Sequence, residues 1–121
     1  MKLSEAIRLG AMLKPQGREH LRRDNRTCAF GAAFDAVGEL ANSVIGERSF
    51  MVMARALWPI VDNEVKCPIA GTTRHLGSMI LSLNDEDEWT REQIADWVAT
   101  IEAQQDATSL DTPQIQEPVR A

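Results

Sequence analysis

Residues 27–46 read TCAFGAAFDAVGELANSVIG, and this stretch decides the fold class. Its large apolar side chains recur at steps of three and four residues, which is the spacing of one face of an α-helix. Thr27 is the predicted N-cap and Gly46 the predicted end. An interior glycine costs about 1 kcal/mol relative to alanine, so Gly38 predicts a break into two shorter helices. The apolar face consists of Phe30, Ala33, Phe34, Val37, Leu40, Ala41, Val44 and Ile45.

The other side of this helix is made of small residues. Gly31, Ala32 and Ala36 leave room for the close approach of a neighbouring helix. A second copy of the chain can supply such a neighbour, so self-association as a homo-oligomer through this face is left open.

Helical patterns also precede and follow this stretch. Ser4 is the predicted N-cap of a first helix, which ends near Lys14. Ser49 is the predicted N-cap of a later helix, which Pro59 ends. Residues 60–73 then form a long connection, in which a short strand around Ile60 and Val61 or around Val65 is allowed but not demanded.

Two further helices are predicted in the second half of the chain. Thr72 or Thr73 opens the first of them. Thr90 and Gln93 have the spacing of a capping box, which is the clearest helix start in the sequence. The apolar stripe of the first consists of Leu76, Met79, Ile80 and Leu83, and that of the second of Ile94, Trp97, Val98 and Ile101.

The chain has the length of one domain. It contains 121 residues, of which 44% are hydrophobic, and this composition is typical of a globular protein. After about Gln105 the helical periodicity gives way to a polar stretch with two prolines. The sequence therefore predicts a compact all-α bundle of about five or six short helices over residues 1–105, followed by a flexible, disordered tail over residues 106–121.

The composition also excludes several classes of protein. No stretch approaches the roughly 20 consecutive apolar residues of a membrane span, so we expect no contact with a membrane. Two cysteines cannot build a disulfide scaffold, which predicts a reduced, cytoplasmic protein. The formal net charge of −5 argues against general nucleic-acid binding.

The charge is divided unevenly along the chain. Residues 1–26 carry seven positive and three negative side chains (+4), residues 27–61 two and three (−1), and residues 62–121 four and twelve (−8). Two segments are therefore candidates for contact with a partner. They are Arg18, Arg22, Arg23 and Arg26 in a predicted loop, and Asp85, Glu86, Asp87 and Glu88 in a predicted turn.

The acidic segment begins like a calcium-binding loop. A calcium loop needs a glycine at its sixth position and a glutamate at its twelfth, and both are missing here. A solvated turn ahead of a helix N-terminus, where carboxylates are favourable, explains the segment better.

The two cysteines and two histidines have a symmetric spacing. Seven residues separate His20 from Cys28, and seven separate Cys67 from His75. A fold that gathered all four would form a zinc site, although the close ligand pairs typical of such sites are absent. A cysteine at the start of an apolar helix usually behaves as a small hydrophobe. We therefore predict no metal, with these four residues as the candidates if one is bound.

No catalytic or cofactor-binding motif stands out. A nucleophilic pair of Cys67 and His75 would lack a third, orienting group. A glycine-rich phosphate loop is also missing. The sequence therefore predicts a protein that is not an enzyme and has no cofactor.

The second half of the chain resembles a known sequence pattern, C-P-x-C followed after about a dozen residues by H-L-N-D-x-H-x-W-T-R-E-x-I-A-D-W-V. The matching residues here are Cys67 and Pro68, residues 83–85 and residues 89–98. Residues 3–10 and 27–33 are similar to the same group. Over most of residues 3–104, with the tail unmatched, the chain thus resembles a small family of bacterial and phage-type proteins with no established activity.

The chain departs from this pattern at the positions with zinc-like spacing. Ala70 stands at the second cysteine position, and Ser82 and Asp87 stand at the two histidine positions. Of the four, only Cys67 remains, and one thiolate cannot hold a structural zinc ion. If the pattern is a metal site, this chain has lost it, and the connection over residues 67–89 is expected to be stabilised by packing.

Three functions follow as hypotheses. The leading one is a non-catalytic protein–protein interaction protein, a phage or prophage accessory factor that acts on an unidentified host protein in the host cytoplasm. It rests on the resemblance, the uneven charge and the missing catalytic motif. The alternatives are a nucleic-acid-associated domain that uses the basic segment over residues 18–26, and a metal-binding protein built on His20, Cys28, Cys67 and His75.

Overall fold

The computed structural model describes residues 1–38 and 50–116 of the chain. These residues are mostly helical and also form two small antiparallel sheets, so the expectation of an all-α fold is corrected. The helices are α1 (Leu3–Ala11), α2 (Ala29–Ala36), α3 (Phe50–Leu57), α4 (Leu76–Asp85) and α5 (Arg91–Gln116), with a 3-10 helix at Pro59–Asp62. The strands are β1 (Arg22–Arg23), β2 (Arg26–Thr27), β3 (Glu64–Lys66) and β4 (Thr73–His75).

The first hairpin, β1–β2, lies in the segment for which the sequence predicts a loop or a short exposed turn. Its turn residues Asp24 and Asn25 both have positive φ, 53° and 61°. Two successive residues with positive φ form the tight turn that suits antiparallel strands, and Asp and Asn tolerate it best after glycine. Strands of two residues are too short for polar and apolar residues to alternate visibly in the sequence.

The second hairpin, β3–β4, replaces the predicted start of α4. Thr73 is not a helix N-cap but pairs with Lys66 across the two strands. Gly71 closes the connecting turn with a φ of 75°, which favours glycine. α4 therefore begins only at Leu76.

Helices α1 and α2 cross in close contact through small residues. A Cβ atom added to Gly10 would lie 1.7 Å from the carbonyl oxygen of Ala32, and one added to Gly31 would lie 1.8 Å from that of Leu21. The small residues of α2 therefore do allow close packing, and the elements that pack there belong to the same chain. Gly31 and Ala32 are buried and Ala36 is partly buried, whereas self-association of the chain stays a prediction.

The core lies among the helices and contains an aromatic cluster. The ring centroid of Phe34 is 6.5 Å from that of Phe30 and 5.7 Å from that of Trp58. The helical spacing of Leu57 with Met53 and Ala54 predicts that it faces the core, but Leu57 is 39% exposed. Leu40 lies outside the described residues. Other expected core residues are buried: Ile80, Leu83 and Ile94.

One of three predicted helix caps is present in the structure, and the other two are not. The capping box of α5 is confirmed, because Thr90 and Gln93 exchange side-chain and backbone hydrogen bonds of 2.8 and 3.0 Å. Ser4 is not an N-cap; α1 begins at Leu3, and the Ser4 hydroxyl donates to the buried Glu102 carboxylate. Thr27 is not an N-cap either, since the adjacent Cys28 takes that position in α2.

The last helix is longer than its sequence predicts. α5 runs without interruption through Gln105 to Gln116, whereas the periodicity indicated an end near Gln105. The division into a domain over residues 1–105 and a tail over residues 106–121 stays a prediction. No helix in the described part of the chain is long and apolar enough to cross a membrane.

Candidate functional site

A groove of about 590 Å³ separates β3 from α5. Its size is within the range of sites that bind ligands, which is about 300–1,000 Å³. None of the described residues of β4 lines it, so it lies along the edge of β3 that faces away from β4. Its walls are Asn63, Glu64, Val65 and Lys66 on one side and Trp97, Thr100, Ile101, Gln104 and Gln105 on the other.

The backbone of β3 presents free hydrogen-bonding groups to this groove. In the β3–β4 pair Val65 lies opposite Arg74, and the flanking Cys67 N–H bonds to Thr72 O at 2.7 Å. Paired and unpaired positions alternate along an antiparallel strand. Glu64 and Lys66 therefore direct their N–H and C=O groups away from β4, and these groups have no partner within the described residues.

The α5 wall combines apolar and polar side chains. Trp97 and Ile101 are half-buried and pack against the core, whereas Thr100 and Gln104 are exposed. These four positions recur at steps of three and four residues, so they share one face of α5. At one end of the groove the Asn63 amide donates to the Gln105 side-chain oxygen and joins the two walls.

The four candidate metal ligands are not brought together. His20 precedes β1, Cys28 is the buried N-cap of α2, and Cys67 and His75 flank the β3–β4 ladder at opposite ends. Three strand positions separate the last two, which corresponds to about 10 Å. Among residues 1–38 and 50–107, no three His, Cys, Asp or Glu side chains are grouped to hold a metal ion.

The four positions with zinc-like spacing in the pattern form two local pairs, Cys67 with Ala70 and Ser82 with Asp87. The Ala70 N–H points to the Cys67 sulfur at 3.4 Å, and the Asp87 N–H donates to Ser82 O at 3.1 Å. The Arg74 guanidinium donates to the Ser82 hydroxyl at 2.6 Å. Ala70 offers no ligand atom, so these four positions cannot complete a four-ligand zinc site.

The turn after β3 also activates the Cys67 thiol. The N–H groups of Ala70 and Ile69 lower the pKa of Cys67, against a smaller opposing effect of burial and of the Asp87 carboxylate. Because the thiolate is the nucleophile, a lowered pKa makes a thiol more reactive near neutral pH. Cys28, in contrast, is only 3% exposed.

We therefore expect iodoacetamide to alkylate Cys67 before Cys28. The pH midpoint of the Cys67 reaction should lie below that of a synthetic peptide of residues 65–71, in which the folded turn is lost. Mass spectrometry of the folded protein over a pH series measures both rates. A midpoint equal to that of the peptide, or faster alkylation of Cys28, would contradict the geometry of the turn.

The basic segment forms an exposed surface around the β1–β2 hairpin. Arg18 and Arg22 are exposed and form no ion pair within the described residues. Arg23 contacts the His20 ring at 3.1 Å, and Arg26 donates to the Gln16 backbone oxygen. The four arginines thus remain available to an anionic partner.

The acidic segment lies beside this hairpin and is partly used by the fold. The Asp85 carboxylate accepts from the Glu19 N–H at 2.8 Å and from the Asn84 amide at 2.7 Å. Asp85 therefore fixes the loop that leads to β1. The remaining acidic residues, Glu86, Asp87 and Glu88, are exposed.

A second surface of interest is apolar and lies on α1. The exposed fractions of Leu9 and Met12 are 46% and 81%, and Met1 and Leu13 are also mostly exposed. The adjoining depression measures about 510 Å³. It offers side chains but no unpaired strand edge, so the structure does not indicate what would cover it.

The groove along β3 was missed in the sequence. Glu64, Val65 and Lys66 do show a polar–apolar–polar alternation, which is the pattern of a short half-buried strand. The facing residues Trp97 and Ile101 were assigned to the core, because their helical spacing does not reveal that they are only half-buried.

Comparison with protein-family models, with curated proteins and with solved structures finds no match to this chain.

Proposed function

We propose that this chain is a non-catalytic protein-binding domain that takes an extended segment of a partner protein into the groove between β3 and α5. The observation that supports it is the unpaired edge of β3, where Glu64 and Lys66 direct main-chain groups into a groove of about 590 Å³. Peptides commonly bind by adding a strand to such an edge, with neighbouring pockets for alternate side chains.

The energetics favour an extended segment over a compact ligand. A strand laid along β3 forms up to four main-chain hydrogen bonds with Glu64 and Lys66, each contributing about 0.5–1.5 kcal/mol net. The half-buried faces of Trp97 and Ile101 add apolar contact, and aromatic residues are frequent anchors of interfaces. An unpaired strand edge can also pair with the edges of other chains and cause aggregation, and a bound partner strand covers it.

The chemistry of the walls supports binding rather than catalysis. Glu64 and Lys66 are the titratable side chains among the described residues that line the groove, and both are exposed. A nucleophile paired with a base would be needed for covalent catalysis. The narrower assignment, to a phage or prophage accessory factor that covers a host protein, rests on the resemblance of residues 3–104.

The proposal is tested by selection from a library of random heptapeptides displayed on phage. We expect the wild-type chain to enrich binders that are lost on the Thr100→Trp variant, because Thr100 is exposed and its replacement by tryptophan fills the groove. Ala103→Trp is the matched control, since Ala103 is exposed on α5 but does not line the groove. Failure to enrich any peptide, or equal binding to Thr100→Trp, would refute the function.

The nucleic-acid alternative has one observation in its favour, the exposed hairpin with Arg22 and Arg23. The adjoining acidic residues around Asp85 oppose it, because they would repel phosphates. If it is right, duplex DNA binds with an affinity that falls steeply with salt and is lost in the Arg22→Ala/Arg23→Ala double variant. We expect no such binding at physiological salt.

A further inference from the structure

We infer that the groove selects an acidic–apolar–basic run of three residues in the partner segment, added antiparallel to β3. The inference rests on the proposed function and specifies the partner's chemistry. It follows from the direction of the free main-chain groups, the charges of Glu64 and Lys66, and the half-buried wall of α5.

The orientation follows from the main-chain pattern. In an antiparallel addition, Glu64 and Lys66 each form a hydrogen-bonded pair with the partner residue directly opposite. Each pair exchanges two N–H to C=O bonds, so all four free main-chain groups are used. Parallel pairing is slightly less stable per residue, and β3 already belongs to an antiparallel sheet.

The charges of the partner segment follow from this register. Glu64 and Lys66 are both exposed and, being two residues apart, lie on the same face of the strand. Side chains directly opposite in an antiparallel pair are close enough for opposite charges to attract and like charges to repel. A segment that runs antiparallel meets Lys66 first and Glu64 second, so it should carry an acidic and then a basic residue.

The central residue of the partner segment, between the acidic and the basic one, lies opposite Val65. Its side chain is therefore on the same face of the sheet as that of Val65. Val65 is only 8% exposed and belongs to the core cluster, against which Trp97 and Ile101 also pack. The central side chain of the segment therefore faces apolar surface. A branched aliphatic residue fits both this surface and the extended backbone.

The test uses two synthetic peptides of the same composition, acetyl-GSEVKSG-amide and acetyl-GSKVESG-amide. Amide chemical shifts of the ¹⁵N-labelled chain, followed during titration, measure both dissociation constants. We expect the acidic-first peptide to bind on the order of tenfold more tightly, because two attractive pairs replace two repulsive ones. The double variant Glu64→Lys/Lys66→Glu keeps the net charge and should invert the preference.

Each alternative outcome is distinct. Equal binding of the two peptides, or an unchanged preference in the double variant, overturns this inference while the proposed function stands if library peptides still bind the groove. Tighter binding of the basic-first peptide overturns the antiparallel orientation. Absence of binding by these peptides and by every library peptide overturns both.

A second copy of the chain is a further outcome, because Glu64-Val65-Lys66 is itself an acidic–apolar–basic run. In that case analytical ultracentrifugation shows a wild-type dimer, whereas Glu64→Lys and Lys66→Glu are each monomeric alone and dimeric when mixed. This result would overturn the assignment of the groove to a partner's segment. A monomeric wild-type chain that binds the acidic-first peptide supports it.

Discussion

Replacing Gly10 by alanine is expected to lower the free energy of unfolding by about 3 kcal/mol or more, at the upper end of what overpacking costs. The added Cβ would lie 1.7 Å from the Ala32 carbonyl oxygen, and the atom that must give way is backbone rather than a flexible side chain. Helices α1 and α2 therefore have to move apart. Urea denaturation followed by circular dichroism measures the loss.

Gly77→Ala is the matched control for this prediction. Its added Cβ meets the flexible end of Met51 at 3.1 Å, which can move, and alanine favours a helix by about 1 kcal/mol over glycine. We expect a change close to zero. Equal stabilities of Gly10→Ala and Gly77→Ala would contradict the close crossing of α1 and α2.

The second large effect is expected for Arg91→Met, which should cost about 3 kcal/mol. Arg91 is only 5% exposed, and its guanidinium donates to Thr27 Oγ1 and Lys14 O, both at 2.8 Å, and more weakly to Ala11 O. Burial lowers the pKa of Arg91, whereas Glu92 partly opposes this effect. Methionine fills similar space but leaves buried acceptors without a donor, at about 1–3 kcal/mol each.

Arg8→Met is the control for the Arg91 variant. Arg8 is exposed and pairs with the exposed Asp96, and such surface pairs contribute about 0–1 kcal/mol. Thermal and urea unfolding of the two variants should therefore differ clearly. An Arg91→Met variant as stable as Arg8→Met would show that the buried guanidinium does not hold α1, β2 and α5 together.

The contacts of Arg91 belong to a wider set that gives residues 83–85 and 89–98 a structural role. Within the matching run, Thr90 and Gln93 cap α5, and Arg91 ties α5 to the end of α1 and to Thr27. In the preceding match, the Asn84 side chain accepts from Gln16 and Ala29 and donates to Gly17 O. These residues therefore shape the fold, and Trp97, from the same run, also lines the groove.

Periodicity and capping were sufficient to predict most helices. The stripe of α4 and the capping box of α5 depend on residues within a few positions of each other, and both were found. The sequence allows a short strand around Val65, where β3 lies, but it does not predict the other strands, because they are only two or three residues long. The cap of α2 was misplaced by one residue, because Arg91, 64 positions away, engages the Thr27 side chain.

The candidate site could not be predicted from the sequence either, because it depends on contacts between residues that are far apart in the chain. It joins β3 to α5, whose facing residues are more than thirty positions apart in the sequence. Local patterns indicate which face of a helix is apolar, but not how completely another element covers it. The half-burial of Trp97 and the direction of the free Glu64 and Lys66 groups appear only after the elements pack.

The exchange rates of three consecutive amides test the central claim most directly. In the free chain the Val65 N–H is bonded to β4 and should exchange slowly with deuterium, whereas those of Glu64 and Lys66 should exchange quickly. When a library-selected peptide is added, NMR should show that Glu64 and Lys66 become protected. Protection of these two amides in the free monomeric chain, or exchange that a bound peptide leaves unchanged, would contradict strand addition at β3.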